Sequence, residues 1–426
     1  MNQNQKDVRI ALDTLGCKLN QAETEYLSKQ FIDAGYTMVS SSDNADVYIL
    51  NTCTVTRIAD RKSRQWLRSA HRRNPDALLV ATGCYAERAS EDIYRIDGVD
   101  LVLDNNQKPY LLQILENSGY LSRTTHVQSD ISDAYYDSFK TRSFIKIQDG
   151  CNNFCSYCIV PLVRKEEKSL PVKQIIAEIN RQIDNGYKEI VLTGVKIGSY
   201  YYEGYNLKKL IECILTETTI LRLRLSSLQP QEIAHELINL WDNKRLCPHF
   251  HLSLQSGSNS VLNRMKRQYT ASDYLQSVAL IRTIVPDAAI TTDVIIGFPG
   301  ETEAEFNDNY QFCQDIGFSR IHVFSFSSRE GTQASLMFEK VEDKIKKQRS
   351  QKMLALAEQS GQNFNKNFLG RVMPVLWEKQ TNKIWSGLTD NYIRIYTKSK
   401  QDLTNEILPV ELREIKGNGI WGKVSE

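Results

Sequence analysis

No apolar stretch in this 426-residue chain approaches the length a membrane span needs, and its start, MNQNQKDVRIAL, lacks the basic-then-apolar order of a secretion signal. A soluble cytoplasmic protein is expected. Charge of one sign is also scarce: 53 Lys and Arg against 51 Asp and Glu leave a net charge of only +2, so any affinity for nucleic acid has to come from local patches. Nor is there a disulfide framework. Nine cysteines in so long a chain, three of them in one tight loop, read as metal ligands in a reducing compartment. The length itself suits two or three domains with sizeable cores.

Cys151, Cys155 and Cys158 stand as CNNFCSYC, directly after the strand-like run SFIKIQDG. Three thiolates on one short loop can hold three irons of a cubane cluster and leave the fourth iron open to a cofactor, whereas structural zinc wants a fourth ligand close by. No fourth Cys or His follows nearby. The loop resembles the cluster loop of the radical S-adenosylmethionine (SAM) superfamily. That resemblance implies that the open iron chelates SAM and that an electron from the cluster cleaves it to a 5'-deoxyadenosyl radical.

Three strand-like runs near the N-terminus, VRIALDTLG, ADVYILNT and ALLVATG, are each followed by a cysteine: Cys17, Cys53 and Cys84. Helix-like stretches separate them, which predicts an open parallel α/β sheet with its ligand sites at the carboxyl ends of the strands. An isolated cysteine is ordinarily an inert core residue, and Cys213, Cys247 and Cys313 are read so. Three in one topological position are harder to dismiss. After Cys53, Arg57, Arg61, Arg64, Arg68 and Arg72 recur at helical spacing and stack on one face, with only Asp60 interrupting the stripe. Such a stripe is the footprint of phosphate recognition, though a plain solvated face is its ordinary alternative.

Residues 133–142 turn polar and non-periodic, as a linker would. Six strand-like runs then alternate with helical ones: SFIKIQ, EIVLTG, LRLRLSS, HFHLSLQ, AITTDVIIGF and RIHVFSFS. They predict a partial (β/α)6 barrel whose active site lies at the carboxyl ends of the strands. Thr193, Gly194, Ser226, Ser253, Gln255 and Gly297 fall there and are candidates for holding SAM. From about Phe368 the pattern becomes short alternating stretches, which predicts a small antiparallel β-barrel. Tyr392 on one of its faces is a candidate base-stacking residue, although half-buried tyrosines are as common. The expected domains are thus 1–132, 133–367 and 368–426.

Taken together, the chain resembles the radical-SAM methylthiotransferases along nearly its whole length. TLGCKLNQAETE around Cys17 resembles the branch that modifies threonylcarbamoyladenosine at position 37 of tRNA; the isopentenyladenosine branch reads closer to TxGCQMN. Further runs that carry the likeness are NTCTVTRIADRKSRQ, VATGCYAER, HLSLQSGS and TTDVIIGFPGE. The resemblance implies two 4Fe-4S clusters, one on Cys151, Cys155 and Cys158 and an auxiliary one on Cys17, Cys53 and Cys84. It also implies SAM used twice, a C-terminal TRAM domain, and a product carrying a methylthio group at adenine C2. The implied partners are the tRNA anticodon stem-loop and an electron donor such as flavodoxin or ferredoxin. The sulfur donor is left open, and the enzyme is expected to be monomeric.

The chain departs from the family where PLVRKEEKSLP replaces PxxRGxxRS, where Lys196 replaces the asparagine of GVNIG, and where Gln229 replaces the glutamate of SSIEP. A carboxylate taken out of water needs a cationic partner, which makes Arg164, Lys165 or Lys196 the candidate for the carboxylate of the threonylcarbamoyl group. Competing readings are a relative acting on another tRNA adenosine or on a ribosomal-protein aspartate, and a non-catalytic RNA-binding protein with structural metal.

Overall fold

The computed structural model describes residues 8–121 and 141–425. Most of the expected linker, and with it the boundary at 132/133, lies outside the described residues. Five parallel strands, β1 (Arg9–Thr14), β2 (Thr37–Val39), β3 (Val47–Thr52), β4 (Leu78–Gly83) and β5 (Leu101–Val102), form an open sheet in the order β2-β1-β3-β4-β5. Every residue of β3 is buried, as a strand covered on both faces must be. Its alternate residues explain how. Tyr48 and Leu50 pack with Leu67 and Ala70 of helix α2 (Arg57–Arg73), while Val47 and Ile49 pack with Leu27 and Phe31 of helix α1 (Lys18–Asp33). The strand order reverses between β1 and β3, and that switch point is where an open α/β sheet leaves a crevice. Cys17 and Cys53 flank it.

The six expected barrel strands are all present and parallel: β6 (Arg142–Lys146), β7 (Glu189–Thr193), β8 (Arg222–Leu225), β9 (His249–Leu252), β10 (Ala289–Ile296) and β11 (Arg320–Ser325). β8 breaks at Ser226, and its continuation Ser227–Leu228 pairs with β9, so the sheet runs in chain order from β6 to β11. Among the described residues β6 and β11 are not paired, which leaves a seam. Residues such as Ile190, Leu223, Phe250, Ile290 and Ile321 face the helices in the main core. By strand alternation Lys146, Glu189, Arg224, His251, Asp293 and His322 then face the lumen. The lumen is polar.

The N-terminal sheet domain covers the seam. On one side Glu25 of α1 accepts hydrogen bonds from Ser143 Oγ and Phe144 N of β6 (both 3.4 Å); on the other the Arg57 backbone N–H donates to Ser327 Oγ beyond β11 (3.1 Å). A long helix, α3 (Asp343–Lys366), leads to the C-terminal module. There β12 (Val372–Thr381), β13 (Ile384–Thr389), β14 (Arg394–Thr397), β15 (Ile407–Lys416) and β16 (Gly419–Val424) close as β12-β13-β14-β16-β15. The barrel is not wholly antiparallel as expected: β14 and β16 pair in parallel. An odd number of strands cannot close in strict alternation, so one parallel pair is required. This module docks on the barrel floor, where Arg222 donates to the carbonyls of Leu388 and Pro374 (3.2 and 2.8 Å) and Arg224 to that of Asp390 (2.9 Å).

Candidate active site

The strand ends of the N-terminal sheet bring Cys17, Cys53 and Cys84 together, close enough that Cys84 acts electrostatically on both Cys17 and Cys53. The loops allow this through two glycines. Gly16 has φ +109°, and a Cβ there would stand 2.7 Å from the Cys53 Sγ; Gly83 has φ +93°, and its Cβ would meet the Asn51 side chain at 2.4 Å. Asn20 and Asn51 lock the Cys17 and Cys53 loops to each other, and the Thr52 hydroxyl, which accepts from the Tyr85 and Ala86 N–H groups (3.1 and 3.2 Å), ties in the Cys84 loop. The Asn20 amide donates to the carbonyls of Leu15 and Thr52 (2.8 and 3.0 Å), and the Asn51 amide to the carbonyl of Asn20 (3.0 Å). Cys17 caps α1, and Cys84 opens the short helix Cys84–Arg88. Cys17 is exposed at the rim, but the protein packed around its thiol raises it against the pull of Arg164, and burial pushes Cys53 up to about 12. Without a metal these thiols stay protonated. Binding one would release their protons.

The second trio is held by a differently built loop. The Cys158 N–H donates to the Cys155 carbonyl (3.0 Å), the Asn153 N–H points at the Cys151 Sγ (3.4 Å), and the Arg267 guanidinium donates to the Cys155 Sγ (3.3 Å). Ser156 ties the loop down through Arg264 O, Met265 O and Ala334 N. Burial pushes Cys158 up to about 12 and also raises Cys151. Among the described residues, the one set of His, Cys or carboxylate ligand atoms within 4.8 Å of one another is His251, Asp293 and His322. Both cysteine trios are therefore wider than a single ion requires, which fits ligands to separate corners of a cubane.

Between the two trios lies a buried charge network that the sequence did not announce. Glu23 of α1 accepts from Lys108 (2.5 Å), from both arms of Arg164 (2.8 and 2.9 Å) and from Lys146 (3.0 Å), while Arg164 also reaches Asp149 (2.8 Å) and the Asn20 carbonyl oxygen of the side chain (3.0 Å). Burial opposes the charge on Glu23, but Lys108, Arg164 and Lys146 together hold its carboxyl well below the usual range. Three cations against Glu23 and Asp149 leave one positive charge beside Cys17 and Cys84. That surplus suits a cluster whose thiolate ligands make it anionic. A second network joins the domains at the far side of the seam: Asp60 and Thr54 are shared by Arg88 and Arg329.

These contacts correct two expectations. Arg164 is buried and fully engaged with Glu23, Asp149 and Asn20, so it is not available to a substrate carboxylate. Tyr392 does not stand on an open RNA-facing surface: φ +71° turns it into the barrel floor, where its ring stacks on His249 (4.6 Å) and lies beneath Arg224 (4.8 Å), Arg142 (5.7 Å) and Arg320 (5.9 Å). The other candidates scatter. Lys165 is exposed and paired with Glu87 (3.2 Å); Lys196 lies 3.8 Å from Glu232, near Cys151. Arg57, Arg61, Arg68 and Arg72 line the exposed face of α2, Arg64 bonds to the Tyr85 hydroxyl (2.8 Å), and Asp60, at the edge of the stripe, is buried. Thr193, Gly194, Ser226, Ser253, Gln255 and Gly297 do fall at the strand ends on the cluster-loop side. The α-carbon of Gly297, however, is closed by Lys346, which a Cβ would approach to 2.1 Å.

Comparison with known proteins gives this geometry its relatives. Residues 9–104 match the model of an uncharacterized protein family, UPF0004, and residues 145–313 that of the radical SAM superfamily. The chain is 36% identical over 423 residues to the threonylcarbamoyladenosine tRNA methylthiotransferase MtaB of Bacillus subtilis, covering 95% of this chain and 93% of that one. It is 39% identical to the MtaB of Aquifex aeolicus, over 91% of this chain and 96% of that one. A tRNA-2-methylthio-N(6)-dimethylallyladenosine synthase of Endomicrobium trichonymphae is 31% identical, over 97% and 99%. Among solved structures, the radical SAM methyltransferase TsrM of Kitasatospora setae, with cobalamin and a 4Fe-4S cluster bound, superposes with a TM-score of 0.56 at 13% identity over 75% of each chain. At that identity the likeness is one of fold.

Proposed function

This chain belongs to the radical-SAM tRNA methylthiotransferases of the MtaB type, and we propose that its two cysteine trios serve one reaction, methylthiolation of threonylcarbamoyladenosine 37 at adenine C2. When bound, the two 4Fe-4S clusters and SAM supply the sulfur, the methyl group and the radical that an unactivated aromatic C–H requires. Cys151, Cys155 and Cys158 would hold one cluster, and Cys17, Cys53 and Cys84 the other. The observation that carries this reading is the placement of Cys17, Cys53 and Cys84 at the seam of a polar lumen, with Cys151, Cys155 and Cys158 at the lumen's rim.

The chain's own residues account for the rest. The Glu23 and Asp60 networks fix the N-terminal domain across the seam, so that the two trios face one space. Arg267 neutralises charge at Cys155. The arginines on the exposed face of α2 contact the phosphates of the anticodon stem-loop, whose unpaired base 37 enters the lumen at a cost of about a few kcal/mol of lost stacking. A low-potential electron donor such as flavodoxin or ferredoxin and a separate sulfur source complete the system, with the enzyme acting as a monomer in the cytoplasm. No helix among the described residues is long and apolar enough to cross a membrane. The test is nucleoside mass spectrometry of tRNA with and without the gene. Loss of 2-methylthio-threonylcarbamoyladenosine, with its unthiolated precursor retained, is expected; an unchanged nucleoside profile refutes the proposal.

A further inference from the structure

The floor of the barrel lumen carries more positive charge than its own carboxylates neutralise. Six strands contribute Arg142, Glu189, Arg222, Arg224, His249, His251, Asp293, Arg320 and His322 to the inner face, and Lys18 opens helix α1, which packs across the seam against β6 and β7. Lys18 is half-buried, and its charge acts on Tyr392, Arg224, Arg142 and Glu189. His249, Tyr392's stacking partner, feels Arg224, Lys18 and Arg320 at once.

Each lumen carboxylate is already taken. Glu189 is bound by Arg224 through two contacts (2.7 and 3.2 Å), Glu378 by Arg142 (2.6 Å) and by Arg394, and Asp293 by His322 (3.0 Å) and His251 (3.4 Å). Arg222 and Arg224 are further tied to backbone carbonyls of the C-terminal module. That accounting leaves Lys18 and Arg320. Among the described residues neither has a carboxylate within 4 Å or a hydrogen-bonded side-chain acceptor, and both face one another's neighbours around the Tyr392 ring. Two unpaired cations in a space largely withdrawn from water are costly unless an anion joins them.

Resting on the function proposed above, we infer that Lys18 and Arg320 form the subsite for the carboxylate of the threonylcarbamoyl group, and so select this nucleoside over one with an apolar substituent. The position suits the task. Rim residues such as Thr193 and floor residues such as Glu189 are four residues apart on one strand, about 13 Å, room for a purine near the rim with its substituent extending downward. Because Lys18 adjoins Cys17, the contact that holds the substituent and the ligand that places the auxiliary cluster move together. Tyr392 and His249 supply the wall beside the carboxylate.

The experiment uses reconstituted full-length enzyme and two synthetic anticodon stem-loops, one carrying threonylcarbamoyladenosine and one its threonine carboxamide, which is isosteric and neutral. Wild-type enzyme should prefer the acid by about 30-fold in kcat/KM, chiefly through KM, the scale of a charge-assisted contact withdrawn from water. In K18Q/R320Q, with iron content per chain as the check on folding, that preference should fall below about threefold, and K18R/R320K should restore it. Should the neutral pair fail to load iron, K18Q and R320Q singly give the same readout. A wild-type enzyme that treats acid and amide alike, or neutral variants that keep the wild-type preference, would overturn the subsite. Wild-type enzyme that modifies neither RNA overturns the functional proposal itself, and the subsite with it.

Discussion

Replacing Glu23 by glutamine should unlatch the N-terminal domain from the barrel without unfolding either. In the native chain one buried carboxylate answers Lys108, Arg164 and Lys146, and both Glu23 and Arg164 are less than a tenth exposed. Glutamine preserves the shape but leaves those cations with Asp149 alone. Removing one member of a buried ion network typically costs about 3–5 kcal/mol, because the partners stay desolvated. If that loss falls on the interface, the opening constant rises by about 10² to 10³·⁵. Hydrogen exchange followed by mass spectrometry reads this directly: amides of α1 between Asn20 and Leu27 should lose protection by that factor, while strands β9 and β10 should not. The pH dependence has a definite sign. Glu23 is held below its ordinary pKa, so its contribution is complete above the usual carboxylate range of about 4.3 and disappears as pH falls through the folded value. Wild type and E23Q should therefore converge only in acid. Equal α1 protection in the two proteins at pH 7 would show that the network does not latch the domains, and the reasoning would fail.

Other consequences are open to simple measurement. Alanine at Cys17, Cys53 or Cys84 should lower iron from about eight to about four per chain while SAM cleavage persists, whereas alanine at Cys151 should abolish cleavage; iron unchanged by the first set refutes a second cluster. Glu25 has the opposite pH behaviour to Glu23: burial lifts it to about 8, so the native state loses stability as pH rises from the unfolded value through 8. E25Q should accordingly raise the thermal midpoint at pH 9 but not at pH 4, and a gain that is equal at both would refute the assignment. Reversing Arg61 and Arg68 to glutamate should weaken stem-loop binding and flatten its salt dependence by about one unit per lost phosphate contact. A slope that does not change would turn the stripe into an ordinary solvated face.

The cysteines were legible because their chemistry is local: CxxxCxxC sits on one loop, and each of the other three follows its own strand. The open parallel sheet and the six-stranded barrel were legible for the same reason, since the alternation of strand-like and helix-like runs is written along the chain. What escaped notice depended on partners far away. Glu23 lies 141 residues from Arg164, and nothing in QAETE distinguishes the buried acid from its neighbours. Arg164 was singled out as a cation but given to the substrate, because sequence shows that a charge exists and not who answers it. Asp60 looked like a break in a basic stripe; the fold turns it inward, where it holds Arg88 and Arg329. Tyr392 continues the period-two alternation of β14 in the sequence, but in the fold it stands before that strand, where φ +71° carries its ring to the barrel floor, and alternation signals neither the turn nor the domain it meets.

Helix α1 gathers these threads. Its first two turns carry, in order, Cys17 at the cap, Lys18 toward the lumen floor, Asn20 tying the cysteine loops, Glu23 latching the barrel and Glu25 on the edge strand β6. The unpaired N–H groups of that end give it a partial positive charge, which favours an anionic cluster at Cys17 and adds to the surplus on Arg164 and Lys108. Because the first turn is rigid, the backbones of Cys17 and Lys18 keep a fixed separation, and the Lys18 stem reaches out from a point set by the cluster ligand. A substrate carboxylate seated on Lys18 and Arg320 is thereby measured against the cluster by one piece of secondary structure. An enzyme of the same fold acting on an apolar substituent needs the cluster but not the cation, and the residue following the first cysteine is where the two tasks separate.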